Sequence, residues 1–151
     1  IAYGDSVVFH YNRHTELLEH SFTRLADFSN PPRLVSCKDP LEEEGCCSGV
    51  FHIDDASIIF AASDALSHYV LMMYELSKSA EFESELMELR MKRTSNSQLL
   101  QMAEKEVFKF YDDVLSPLLR SVDSEANFKE LMESLYVKKL IDIDDYTLAI
   151  L

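Results

Sequence analysis

Glycine and proline are scarce in this chain, with three and four in 151 residues, and tryptophan is absent. An antiparallel all-β fold spends glycine and proline at its many turns, so their scarcity argues for helices. Cysteine is low and odd in number, at three, which argues against a complete disulfide framework and suits a reducing compartment. An intracellular setting, cytoplasm or nucleus, is therefore expected. Basic residues are few as well: 14 Lys and Arg face 27 Asp and Glu, a formal net charge of -13. A surface of that sign repels phosphate backbones, so nucleic acid is not expected as a partner of this domain, and neutral or basic partners are favoured. No apolar run reaches the ~20 residues that cross a bilayer, so no membrane span is expected. The richest stretch, Ile58 to Met73, is interrupted by Ser63, Asp64, Ser67 and His68. The first ten residues show no signal-peptide pattern.

What is present is a 47% hydrophobic fraction, enough for one core in one helical domain over residues 1–151. Both ends are apolar, Ile1 at one and Ala149-Ile150-Leu151 at the other, which reads as a piece excised from a longer protein. Residues 5–28 carry Val7, Tyr11, His14, Leu18, Phe22 and Leu25 at helical spacing, with Asp5 or Ser6 as cap. Asn30-Pro31-Pro32 stops that pattern. Residues 29–52 then hold three of the prolines, two of the glycines, all the cysteines and the run Glu42-Glu43-Glu44. They read as one long loop, with Leu34-Val35 and Val50-Phe51 as a candidate extended pair.

Further helices are expected from Asp54 or Asp55 to Leu76, around Phe82 to Leu89, and from about Leu100 to Leu118. Two more are expected after Asp123 or Ser124 and from about Ile143, with Asp142 and Asp145 as a capping box. The polar clusters Ser77-Lys78-Ser79 and Thr94-Ser95-Asn96-Ser97 read as breaks. The expected fold is all-α, a bundle-like packing of five or six helices.

The chemistry-bearing residues form no catalytic pattern. On a helix, His10 and His14 would point within about 40° of each other and could share a metal with carboxylates of other helices. Neither a Glu-x-x-His pair nor a His-Glu-x-x-His motif accompanies them. Cys37, Cys46, Cys47 and His52 lack the paired Cys-x2–4-Cys spacing of structural zinc and read as free thiols beside a histidine. "IDIDDY", Ile141 to Tyr146, lacks the glycine of a calcium loop. No nucleophile elbow or phosphate loop occurs, and no cofactor is implied. Arg90, Lys92 and Arg93 stand just before Thr94 and Ser95, a pattern suited to phosphorylation at a helix start.

Apolar residues off the main stripes remain. Phe60, Val70, Met73, Met87, Met91, Phe108 and Leu115 are the candidate interface residues, since methionine and aromatic side chains make adaptable contact area. The expected function is a non-catalytic protein–protein interaction or dimerisation domain of a larger scaffold or regulator, with another protein or a second copy as partner. The alternatives are a metal-binding helical bundle using His10 and His14, and a helical domain that binds an apolar ligand.

Overall fold

The computed structural model describes residues 2–3, 6–29 and 46–151. Its architecture corrects the all-α expectation: among the described residues, five α-helices pack with a four-stranded antiparallel sheet. The strands are β2 (Val7–Asn12), β3 (Leu17–His20), β5 (Ser57–Ala62) and β6 (Leu148–Ile150), in the order β3-β2-β5-β6. A separate antiparallel pair joins β1 (Ala2–Tyr3) to β4 (Cys46–Cys47). Asp5, Asn30-Pro31-Pro32, Leu34-Val35, Cys37 and the Glu42–Glu44 run lie outside the described residues.

The segment expected as the first helix is a β-hairpin. Its sequence, Val-Val-Phe-His-Tyr-Asn, is β-branched and aromatic, and Val7, Phe9 and Tyr11 alternate into the core. The stripe that suggested a helix relied on Val7 and Tyr11, four residues apart, and a separation of four also places two residues on one face of a strand. The turn is glycine-free. Asn12 Oδ1 accepts from the amides of His14 (2.9 Å) and Thr15 (3.1 Å), and Glu16 takes the left-handed conformation, φ 55°. Phe9 pairs with His20 on one side and Phe60 on the other, and stacks on Phe60 at 4.8 Å.

β5 replaces the first two turns of the expected helix over 54–76. Helix α1 (Asp64–Ser77) starts only after Ser63. Every residue from Leu66 to Glu75 is buried, so this helix is covered on all sides. One core cluster joins its Leu66, Val70 and Met73 to Val7, Phe9 and Phe60 of the sheet. The Tyr74 hydroxyl accepts from the Leu18 amide at 3.1 Å, pinning α1 to the hairpin.

Helix α2 (Glu83–Met91) follows the break at Ser77-Lys78-Ser79, whereas helix α3 (Ser95–Ala103) starts inside the second polar cluster, ahead of the expected Leu100. The expected helix to Leu118 does not continue. After α3 the chain runs non-helical with Val107 in solvent, then forms a π-helical turn, Phe110–Leu115, that leads into α4 (Ser116–Ser121) with Pro117 in its first turn. Helix α5 (Glu125–Val137) is capped by Ser124, whose hydroxyl accepts from Asn127 N. It ends with Lys139 at φ 57°, whose amide donates to the Tyr136 carbonyl (2.9 Å) while Leu140 N donates to Leu135 O (3.0 Å). That is the helix-ending pattern glycine usually fills; a glycine-poor chain places lysine there. No helix forms at Ile143. The chain instead reaches β6, which pairs with β5 through Ala62 and Leu148.

Candidate functional site

The segment 141–146 is the structural centre of the most promising surface. Its aspartates do not start a helix; they brace a ridge. Asp142 Oδ1 accepts from Ile143 N (2.9 Å), Asp144 Oδ1 accepts from Asp145 N (2.8 Å), and the Tyr146 hydroxyl donates to the Asp142 carbonyl. Ser63, just before α1, anchors the far end: its hydroxyl donates to Asp145 O (2.9 Å) and accepts from Thr147 N (3.0 Å).

Three depressions surround this ridge. Along α5 runs an apolar groove of about 510 Å³, where Phe128, Met132 and Tyr136 recur every four residues on one helix face opposite Ile143 and Tyr146. Glu125, Lys129 and Glu133 flank it. On the other side lies a cavity of about 350 Å³ between the starts of α1 and α3, with His68, Thr94, Asp142 and Asp144 among its walls. The third, about 930 Å³, lies between α3 and the end of α5 and gathers Arg93, Lys105 and Lys139. Ile143 belongs to both the groove and the acidic cavity, yet it is 75% exposed, and neighbouring Tyr136 is 46% exposed.

Two residues of the acidic cavity's walls carry polar atoms without partners: His68 Nε2 and Thr94 Oγ1 are both buried and make no hydrogen bond. Burial lowers the His68 pKa to about 4, with Asp142 acting in the opposite sense, so the ring is neutral at pH 7.

The histidines that drew attention in the sequence separate. His10 is buried on β2, with Nδ1 2.8 Å from Glu19 Oε2 and Nε2 2.8 Å from Ser57 Oγ, so both ring nitrogens are engaged. His14 is exposed in the hairpin turn, where its ligand atom and those of Asp54 and Asp55 lie within 4.8 Å of one another. His20 sits on β3 against Phe9, and desolvation lowers its pKa. Cys47 is an exposed free thiol and His52 is exposed.

Of the interface candidates, Phe60, Val70, Met73 and Leu115 are core residues at 2% exposure or less and have no surface to offer. Met87 and Met91 are exposed on α2, and Phe108 is half-buried. Ser95 is exposed at the first position of α3, whereas the Thr94 hydroxyl is buried. The basic cluster holds helices together: Arg90 bonds Glu104 (2.7 Å), and Lys92 donates to the Ala26 carbonyl (2.8 Å). The ridge itself escaped the sequence reading, because carboxylates at such spacing resemble a helix cap. The four-residue recurrence of Phe128, Met132 and Tyr136 was the available signal for the groove.

No helix among the described residues is long and apolar enough to cross a membrane. No protein-family model, curated protein or solved structure matches the chain.

Proposed function

We propose that the chain is a non-catalytic protein-interaction domain whose docking surface is the ridge 141–146 with the apolar groove of α5. The observation that supports this reading is Ile143, a large apolar side chain held out in solvent on a segment fixed at both ends. Ordering such a segment costs conformational entropy, and in the free chain Ile143 recovers little of it by burial. A partner that covers Ile143 and fills the groove supplies the missing burial. The favoured occupant is an apolar segment flanked by basic residues from another protein. Glu125 and Glu133 line the groove, and a chain of net charge -13 repels a second copy of itself.

Selection of random displayed peptides on the immobilised chain tests this. Enrichment of apolar-anchored peptides with basic flanks is expected, with affinity reduced about a hundredfold by Ile143→Glu or Tyr136→Glu, the size of a hot-spot loss. Peptides that bind both variants as well as the parent, or no enrichment, overturn the reading. Light scattering across a concentration series separates the self-association alternative, in which the mass doubles and Ile143→Glu restores the monomer.

The exposed triad of His14, Asp54 and Asp55 favours a second reading, a divalent cation bound at the hairpin turn. Both oxygens of Asp54 already accept from Asn12 Nδ2, at 2.9 and 3.0 Å, and a cation would have to share them. Calorimetric titration with zinc decides it. Stoichiometric binding that His14→Ala abolishes is the expected result of a real site; unchanged binding in that variant, or none in the parent, removes it.

A further inference from the structure

We propose that the cavity between the β2–β3 hairpin, the end of α1 and the π-helical turn binds a small neutral molecule whose flat ring carries a carbonyl, held by tyrosine hydroxyls. The cavity measures about 560 Å³, within the range of small-molecule sites. Among the described residues it shares no wall with the ridge or the α5 groove, so this inference is independent of the interaction reading.

The walls suit a flat ring. Tyr11, Tyr74, Phe108, Phe110 and Tyr111 all line the cavity. The rings of Tyr11 and Tyr111 are nearly parallel, at 8° with centroids 5.8 Å apart, and Tyr74 meets Phe110 edge-on at 5.2 Å. Rings fixed by other rings need little ordering when a ligand arrives. Phe110, Tyr111 and Asp112 reach this wall on the π-helical turn, and turns of that kind occur frequently at functional sites.

The hydroxyls select the acceptor. Tyr11 is 2% exposed, yet its hydroxyl makes no hydrogen bond among the described residues and is not sealed from solvent. Buried tyrosine hydroxyls usually find a partner. The groups that act electrostatically on this hydroxyl, Glu16, Tyr74, Tyr111 and Asp112, are all walls of the same cavity, so it is aimed into that space. The Tyr74 hydroxyl accepts from the Leu18 amide, which leaves its own proton to give, and the Tyr111 hydroxyl makes no hydrogen bond among the described residues. Three O–H donors therefore line one cavity, and a carbonyl oxygen has two lone pairs to receive them.

The charges favour a neutral ligand. Burial, followed by Glu16 and then Tyr74, Tyr111 and Asp112, pushes the Tyr11 pKa up to about 12, so the phenol keeps its proton. A carboxylate or phosphate placed beside it would meet the same two carboxylates. Arg13, Lys78 and Lys109 line the cavity too, but each is engaged. Arg13 donates to the Asp55 carbonyl at 3.4 Å, Lys78 Nζ stands 5.3 Å over the Tyr74 ring, and Lys109 Nζ lies 3.9 Å from Asp112. Those three cations oppose a cationic ligand, and Lys78 already covers a face of Tyr74. A neutral carbonyl avoids both repulsions.

The test is a nuclear magnetic resonance titration of the whole chain with acetophenone, read at the rings of Tyr11, Tyr74 and Tyr111. Ethylbenzene lacks the acceptor, benzoate and benzamidine carry negative and positive charge, and N-methylacetamide has a peptide carbonyl without a ring. Acetophenone is expected to shift the three rings with about millimolar affinity, as a molecule of so few atoms does, and the other four to bind at least about tenfold more weakly. Tyr11→Phe should weaken acetophenone about tenfold and keep the thermal midpoint, since no hydrogen bond of the fold is lost. Tyr111→Phe, on a half-buried ring, should weaken it in the same direction and repeats the test should the first variant not fold. Equal binding of ethylbenzene would make the cavity a plain apolar slot, and equal or tighter benzoate or benzamidine would make it an ion site; either overturns the proposal. Equal binding of N-methylacetamide would assign the carbonyl to a polypeptide and overturn the small ring molecule. Unchanged affinity in the phenylalanine variants, or no shift at these rings, overturns the site itself.

Discussion

Phe60→Ala should destabilise the fold by about 3–5 kcal/mol, the usual cost of emptying a large aromatic site in a closed core. Phe60 is completely buried at the centre of the sheet, stacked on Phe9 and paired with Ile150 of β6. The expected readout is a thermal midpoint lower by about 10 °C for a chain of this length, with any partner binding lost only in proportion to unfolding. Urea denaturation alongside a binding measurement at low temperature separates the two effects. A variant that kept its stability and lost a partner would return Phe60 to the surface and contradict the sheet.

Glu75→Gln should have a large effect in the opposite direction, and it should depend on pH. Glu75 is buried on α1, its Oε2 has no partner, and burial followed by the charge of Glu85 raises its pKa to about 8. An acid whose folded pKa exceeds its unfolded value of 4.5 keeps a proton in the fold that the unfolded chain gives up. Its contribution is therefore undiminished below pH 4.5 and is lost as the pH rises through 8. At about 1.36 kcal/mol per unit, the parent chain loses on the order of 5 kcal/mol from this one group between those limits. Glutamine carries no charge at either end, so the variant should lose far less. Denaturation at pH 5 and pH 9 checks this. The two proteins should converge at the lower pH and separate at the higher, and parallel behaviour would mean that Glu75 reaches solvent or a cation.

The helical half of the molecule was legible in the sequence because its boundaries are chemical. Ser124 caps α5 with its hydroxyl, Thr94 marks the start of α3 without a side-chain cap, and Ser77-Lys78-Ser79 ends α1. The sheet was not legible, for two reasons. Its hairpin turns on the Asn12 side chain instead of on glycine, so the composition gave no warning. The strands are also short and supplied from distant places: Ser57–Ala62 runs straight on into a helix, and Leu148–Ile150 sits alone at the far end. A six-residue apolar run beside a helix cannot be separated from that helix by periodicity alone. The same ambiguity misplaced Phe60, Val70, Met73 and Leu115 as interface residues, since a residue off the main helical stripe is still core when the helix is covered on every side. His68 and the aspartates of 142–144 come together only through tertiary folding, and nothing in their sequence spacing announces it.

The anchoring of Thr147 by Ser63 joins residues 84 apart in the chain, and all five helices lie in the interval between them. Closing an unstructured excursion of that length costs roughly 4 kcal/mol in chain entropy, before any strand contact rewards it. Helices that form first from local contacts would shorten the effective loop, so β6 is expected to dock onto β5 late in folding. The ridge that immediately precedes that strand is then expected to assemble late and to open early. Any partner that grips residues 141–146 therefore clamps the closing seam of the sheet, and binding there should slow unfolding of the whole chain while leaving its rate of folding almost unchanged.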